Sequence, residues 1–433
     1  MISTRVIKST DTIRLVSVFA VFLAALFYCY ESLLRVAPSV ISSELMNHYK
    51  IDAYGFGVLN SFYYYVYAPM QIPVGLLMDR YGPKKLLTFA CFLCAIGTYF
   101  FICSHNLHLA QFGRVCVGLG SSFAFVGVLN LGSKLLPSNY FGLVTGATVT
   151  LGMLGAVMAD RLLISIVSKQ GWQLALYEST FIGFVLMVLL YTCIKDMKSQ
   201  CNLNMSVDFK MIIKGVLKLV RSKNVWCNAI IGLSLWMPLA IFAEFVGVDF
   251  IRTNYHLTHS QAGIANSYFF IGWAIAAPFT ALLSDRLRSR RIPMFGMSIL
   301  AFVLSLVIIS ARFHFSSQQI SLLLMLFGMS CSSQILIFPV SKELSCRYTS
   351  ASALALTNMV TMLSGFLQSF CGKMVHLSMI SRIGAAASTS AITYQAADYQ
   401  YGAYMVPVFI LIGIISVLFL KETYDLNTDN ESS

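Results

Sequence analysis

Apolar stretches long enough to cross a lipid bilayer recur along the whole of this chain, and that recurrence decides its fold class. A hydrocarbon core about 30 Å thick is crossed by a helix of about 20 residues. A helix satisfies its own backbone N–H and C=O groups where no water can. Twelve such stretches can be marked, at 15–40, 54–78, 86–104, 108–136, 142–167, 172–194, 224–250, 260–284, 292–311, 317–341, 350–376 and 400–420. Charged residues make up 11% of the 433, against about 25% in a soluble domain. The expected fold is an all-α membrane protein of twelve transmembrane helices. The first stretch runs on into charged helix without a small-residue cleavage site, so it reads as a retained anchor and not a cleaved signal.

The net charge of +12 would suit a nucleic-acid partner, but its distribution does not. The basic residues sit in the short gaps between apolar stretches, where they act as topology determinants. With the N-terminus in the cytoplasm, 21 of the Lys and Arg residues fall on that side and 7 on the other, with Arg35 and Arg114 inside helices. That bias places both termini inside, in a multi-pass protein of a bacterial inner membrane. The eleven cysteines form no disulfide framework. Most lie in or beside apolar helices, where free cysteine behaves as a small hydrophobe. Cys91 and Cys94 make a CxxC in mid-helix without metal-ligand company, so they read as packing residues, and neither metal nor cofactor is expected.

The longest polar gap divides six helices from six. The expected organisation is a bundle over 1–195, a cytoplasmic linker over 196–223, and a second bundle with a short tail over 224–433. In the linker, Lys210, Lys214, Lys218 and Arg221 share one helical face, while Phe209, Ile212, Ile213, Val216 and Leu217 lie largely elsewhere. This pattern suits an amphipathic helix on an anionic leaflet; a solvated linker helix would read the same.

A shift of 206 residues aligns the two halves without gaps through the second and eighth helices. Gly57 meets Gly263, LNSFYY at 59–64 meets ANSYFF at 265–270, and Asp79-Arg80 meets Asp285-Arg286. Six helices separate the copies, so they point the same way through the membrane. Parallel halves related by a pseudo-two-fold axis along the membrane normal are an established transporter plan. Their substrate site lies near the midplane between the halves, and alternating access rocks one half against the other.

GLLMDRYGPKK at 75–85 resembles the signature of the major facilitator superfamily, and ALLSDRLRSRR at 281–291 is a degenerate second copy. Arg114 with Gly118 and Gly120 is similar to the family's fourth-helix motif. Gly146, Gly152 and Gly155 resemble its fifth-helix motif only weakly, without the usual Gly-Pro, and give an antiporter no support. An Arg near the middle of helix 1 and the QIPVG run at 71–75 resemble, more loosely, the anion:cation symporter and phthalate-permease-like branch and related bacterial nutrient permeases. The resemblance makes Gly75, Asp79, Arg80, Gly82, Lys84, Lys85, Arg114, Asp285 and Arg286 a conformational motif. Gly75 permits close helix approach. Asp79 ends helix 2, where the helix's own negative end disfavours it, so it needs a partner such as a helix N-terminus. The family fold supplies the start of helix 11, near Ser350, and for Asp285 the start of helix 5, near Gly142.

Candidate site residues are the polar ones set deep in apolar helices. The repeat aligns Glu31 with Met237, well inside helix 7, which places Glu31 near the midplane, with Arg35 one turn further out on the same face. Ionisable residues at that depth face a cavity or a partner. Arg35 is expected to take a substrate carboxylate and Glu31 a proton or a substrate ammonium; alternatively the two only neutralise each other. Glu244 in helix 7, two turns beyond Trp236, is the second candidate for proton coupling. Of the tyrosines at 63, 64, 65 and 67, Tyr64 is expected in the cavity with Asn60. Asn266, Trp273, Gln334 and Asn358 complete the substrate-binding candidates, against the alternative that they make interhelical hydrogen bonds. Glu178 is a weaker candidate, and Asp160 with Arg161 is expected near the outer surface.

No catalytic constellation such as HExxH, a nucleophile elbow or a phosphate loop is present in the sequence, so an enzyme is not expected. The function expected is a secondary active transporter, monomeric and proton-coupled, importing a small polar metabolite such as an amino acid or organic anion. A nucleoside permease or a passive facilitator is the alternative within the class, and a transporter-derived sensor or membrane-embedded enzyme outside it. For a sensor, neither tail has the length of a signalling domain.

Overall fold

The computed structural model of the chain describes residues 2–103, 105–136, 141–195, 219–310, 312, 315–345, 350–383 and 394–424, without the side chains of 2–16, 76, 79, 141–143 and 350–352. Twelve long helices form its frame: α1 Ser17–Val40, α2 Ala53–Tyr81, α3 Pro83–Ile102, α4 Leu107–Leu135, α5 Val144–Gln170, α6 Trp172–Cys193, α7 Lys223–Asn254, α8 His259–Arg286, α9 Arg291–Ser310, α10 Ser317–Glu343, α11 Ala353–Ile383 and α12 Ala396–Phe419. All but α2 are long and apolar enough to cross a membrane by hydropathy. In α2 the tyrosines, two prolines, Asn60 and Gln71 make the composition more polar over its 29 residues. The basic face expected at Lys210, Lys214 and Lys218 lies outside the described residues.

Helix ends are set by their caps. The Asp52 side chain accepts from Gly55 N at 2.7 Å to start α2, and capping boxes at Thr258 with Gln261 and Ser316 with Gln319 start α8 and α10. Between α2 and α3 the chain reverses at Gly82, whose φ of 80° only glycine adopts freely, with Pro83 opening the next helix. Arg288 stands at the same place in the second copy and is held at φ 46°. The second turn forms without a glycine.

The packing repeats as the sequence does. In the first half α1 packs on α5, α2 on α4 and α3 on α6, and in the second α7 packs on α11, α8 on α10 and α9 on α12. Gly118 of α4 abuts the backbone carbonyl of Tyr63, and Gly328 of α10 abuts that of Phe269, the residue aligned with Tyr63. A Cβ at either glycine would collide with that carbonyl, so the helices meet there only through glycine. The halves meet along two seams, α2 with α11 and α5 with α8, which the repeat interchanges.

Twelve successive crossings bring the start of α1 and the end of α12 to one face of the bundle, the terminal face. On the far face the halves are joined: Ser42 donates to Asp249, and His259 Nε2 sits 2.9 Å from the Val40 carbonyl. Gly57 of α2 lies against the backbone of Gln368 and Ser369 of α11, and Gly263 of α8 against Asp160 of α5. Nearer the terminal face, nothing lies within 4 Å of where a Cβ would sit at Gly75 of α2 or Gly146 of α5. Among the described residues the close approach expected at Gly75 is not made, while one turn away Gln71 is still bridged to α11 through Asn358.

Candidate substrate and coupling site

The centre of the bundle is built by α1 and α7, the corresponding first helices of the two halves. Glu31 and Arg35 lie one turn apart on α1. On α7, Pro238 supplies no backbone N–H and opens a π-helical stretch, Pro238–Val246, that carries Glu244. Such widened turns are frequent at functional sites. Arg35 does not pair with Glu31. Its Nε lies 3.0 Å from Glu244 Oε1, with side chains 2% and 1% exposed, so one buried ion pair joins the halves.

Hydroxyl donors from α2 complete the arrangement. Tyr64 donates to Glu244 Oε2 at 2.6 Å, and Tyr63 donates to Glu31 Oε2 at 3.1 Å, with Ser32 on the other Glu31 oxygen at 3.3 Å. The Arg35 guanidinium lies 6.0 Å from the Trp236 ring centroid, and Trp236 meets Trp273 edge to face at 5.5 Å. Arg114 of α4 donates to the Leu34 carbonyl at 3.2 Å and lies over Tyr63 at 5.1 Å. Buried polar atoms without a hydrogen-bond partner include Asn60 Oδ1, Arg114 Nε, Trp236 Nε1 and Gln334 Nε2, the last in a 3₁₀ turn of α10, and the Arg35 Nε–Glu244 Oε1 approach is an ion pair without a well-directed hydrogen bond. Unpaired buried polar atoms are costly, and a polar ligand would relieve that cost. An arginine held by a carboxylate, ringed by hydroxyls and aromatic faces, can take an anion in that carboxylate's place.

The structure brings Glu31, Arg35, Tyr64, Trp236, Glu244 and Trp273 together, and it sends other candidates to the seams. Asn266 donates to Asp160 Oδ2 at 2.7 Å across α5 and α8. Asn358 donates to Gln71 Oε1 at 2.8 Å across α2 and α11. Asp160 was expected near the outer surface; it is fully buried between the halves. Depth along a helix and exposure around it are separate coordinates, and only the first can be read from residue order. Glu178 is exposed and accepts from Gln170. Tyr65 is exposed while Tyr63, Tyr64 and Tyr67 are buried.

In the conformational motif, the Asp79 side chain, Gly142 and Ser350 lie outside the described side chains. Asp285 meets Arg290 of its own loop at 2.7 Å, and Arg290 continues to Glu343 at 3.0 Å. Its described partner is thus a local cation and not a helix N-terminus. Lys84 lies 4.9 Å from the Tyr191 ring centroid and Arg80 5.4 Å from that of Tyr81. Glu422, beyond α12, accepts from the Ser289 hydroxyl and from the backbone N–H groups of Arg290 and Arg291. Partial burial pushes its carboxyl up, and those hydrogen bonds outweigh it, leaving it below its ordinary range.

Sequence reading did not single out Tyr63, Gln71 or Ser61. Ser61 donates to the carbonyls of Gly57 and, across the α2–α11 seam, Gly365. Their signal was a polar or amphipathic side chain in an apolar helix, which many positions share.

The family model of the Major Facilitator Superfamily matches residues 17–369. The chain is 25% identical over 148 residues to the probable sulfoacetate transporter SauU of Cupriavidus necator, an alignment covering 34% of each chain. It is 24% identical over 188 residues to the probable galactarate/D-glucarate transporter GarP of Escherichia coli, covering 42% of this chain and 41% of that one. These alignments thus span well under half the length of either relative. Among solved structures, a bacterial homologue of the human lysosomal transporter Spinster, inward-facing and occupied, superposes with a TM-score of 0.77 at 13% identity, covering 93% of this chain and 96% of that one. A mutant of the nucleoside transporter NupG superposes with a TM-score of 0.72 at 14% identity, covering 94% and 99%. At such identities the likeness shows the fold alone. With twelve helices in two repeated bundles and a family match over most of its length, the chain belongs to the Major Facilitator Superfamily.

Proposed function

We propose that the protein is a proton-coupled symporter for a small organic anion, and that Arg35 is the anion-binding group. The Arg35–Glu244 ion pair carries this reading. A buried guanidinium whose only ion-pair partner among the described residues comes from the opposite half offers a substrate carboxylate or sulfonate one place to dock, and docking requires Glu244 to yield. Protonation of Glu244 removes its charge and frees Arg35, so proton and anion bind together. Tyr64, already hydrogen-bonded to Glu244, keeps that carboxyl in place as its charge changes. Glu31, held by Tyr63 and Ser32, provides a second carboxyl beside Arg35. The names of the two relatives, for sulfoacetate and for galactarate and D-glucarate, favour an anion over a zwitterion or a nucleoside.

The test is a thermal-shift screen of the purified protein against organic acids, sulfonates, amino acids and nucleosides. Counterflow and pH-gradient-driven uptake in proteoliposomes then follow with whatever binds. Anions should stabilise the wild type and fail to stabilise Arg35→Lys, which keeps the charge but loses the fork. Stabilisation by nucleosides alone, unaffected at Arg35, would overturn the reading.

A further inference from the structure

The bundle holds a second π-helical turn, Ala159–Leu163 of α5, and it carries an acid that the reading above leaves idle. Asp160 lies on the α5–α8 seam with its side chain 0% exposed. Its Oδ2 accepts from Asn266 Nδ2 at 2.7 Å, and its Oδ1 has no hydrogen-bond partner. The neighbouring cation is turned away: Arg161 Nε donates to Ser267 Oγ at 2.7 Å, and its guanidinium lies 5.1 Å from the Tyr268 ring centroid. Asn266 also donates to the Ala243 carbonyl at 2.9 Å. A single amide therefore ties α5, α7 and α8 together around an acid that has no ion-pair partner among the described residues.

The groups around it do not supply one. Two helices other than its own pack on this turn, α1 and α8. From α1 the titratable side chains nearest in sequence to the packed Cys29 are Tyr28, Tyr30, Glu31 and Arg35, with Glu31 held by Tyr63 and Ser32 and Arg35 by Glu244. From α8 come Asn266, Ser267 and Tyr268, with His259 at the helix start engaged by the Val40 carbonyl. From α7, Glu244 adds a further acid, which disfavours a second negative charge. An ionised carboxylate shut from water with one neutral donor is strongly disfavoured, whereas the neutral acid leaves only one polar group unpaired. When the seam opens, water reaches both oxygens and the ionised form is favoured.

We infer that Asp160 is a proton-binding site that couples closure of the far face to the uptake of one proton, distinct from the Arg35–Glu244 pair. The proton adds to a carboxylate oxygen as the seam closes and returns to water as it opens; no other bond is made or broken. Linkage fixes the sign: closing takes up a proton, so the ratio of closed to open molecules falls by up to about tenfold per pH unit between the titration of the open form and that of the closed form, and is level outside that window.

The experiment uses the full-length protein in lipid nanodiscs without substrate. Spin labels go on the exposed far-face residues Asn47 and Ser260, one in each half, as Asn47→Cys and Ser260→Cys in a background lacking the exposed Cys103. Distances between the labels should lengthen as pH rises in otherwise wild-type protein. Asp160→Asn, which mimics the neutral acid, should stay closed at every pH, and Asp160→Glu should restore the pH dependence. In parallel, infrared titration should show a protonated-carboxyl band that is lost in Asp160→Asn and kept in Glu31→Gln and Glu244→Gln. A pH-independent distance in the wild-type background overturns the proposal whether or not any variant assembles. So does a pH response, or a carboxyl band, that Asp160→Asn leaves unchanged. Neither measurement involves a transported molecule, so failure of the Arg35–Glu244 reading would leave this result standing.

Discussion

Replacing Glu244 with glutamine tests the central ion pair at its most informative point. Arg35 and Glu244 sit 3.0 Å apart and almost wholly out of water. At an effective dielectric of about 20, their attraction is roughly 5–6 kcal/mol. Removing one partner of such a pair typically costs about 3–5 kcal/mol, because the other is left buried and uncompensated. Glutamine fills the same space and still accepts from Tyr64, so the loss is of charge and not of shape. The unliganded Glu244→Gln protein should therefore melt well below wild type. An anion that docks on Arg35 no longer has to displace a carboxylate. If about 2 kcal/mol of the lost attraction returns through the ligand, its affinity rises by roughly thirtyfold. The ligand-induced shift in melting temperature should then exceed that of wild type, while accumulation driven by a pH gradient disappears and counterflow persists. Glu31, one turn from Arg35, can recover part of the pairing, so the Glu31→Gln/Glu244→Gln double variant should show the larger destabilisation. A Glu244→Gln protein that melts like wild type, binds anions no more tightly and still concentrates them would refute the reasoning.

Other perturbations address the frame. Gly75→Leu should leave folding and the far-face seal intact, since its Cβ meets open space, yet abolish transport if α2 must close there in the opposite state; normal uptake would show that it need not. Asp79→Asn should lower transport while membrane insertion stays normal, and full uptake by well-expressed protein would remove Asp79 from any latch. Reporters after Ser433 and within 196–223 should read cytoplasm and one within 381–399 the outside; a reversal at any site would invert the assigned topology. Arg288→Gly should raise thermal stability by up to about 1 kcal/mol by relieving a left-handed turn, and an unchanged or lower melting temperature would count against strain there.

The fold was legible because membrane spans are written as composition. Most of the twelve ends lie within a few residues of the apolar stretches, since lipid tolerates no exposed backbone and the chain must be helical wherever it is apolar. Among the C-terminal helix ends that of α11 was the poorest, running to Ile383 instead of stopping near 376, because Lys373 and His376 look like a boundary while the helix continues past the apolar zone. Glu31, Arg35 and Glu244 were recognisable as candidates for the same reason: a charge in an apolar helix needs an explanation. What stayed hidden was the pairing. Spacing on one helix points Arg35 to Glu31, whereas the partner it takes lies on the other half, and no local pattern records which helices face each other. Asn266 and Asn358 were visible as polar residues, but their partners Asp160 and Gln71 depend on the seams. Those are a property of how two bundles dock.

The two π-helical stretches have a consequence for how the halves can move. The repeat matches α5 with α11, yet at the corresponding level α5 is widened over Ala159–Leu163 and α11 is tightened into a 3₁₀ turn over Leu363–Phe366. Likewise α7 is widened over Pro238–Val246, where α1 remains an ordinary helix. The duplicated architecture is therefore mechanically lopsided. One seam contains a loosened spring and the other a compressed one, so equal displacements of the two sides require unequal work. A protein assembled from two copies of the first half would carry the same widened turn on both seams. It would lack the uneven stiffness on which a directed stroke can be built.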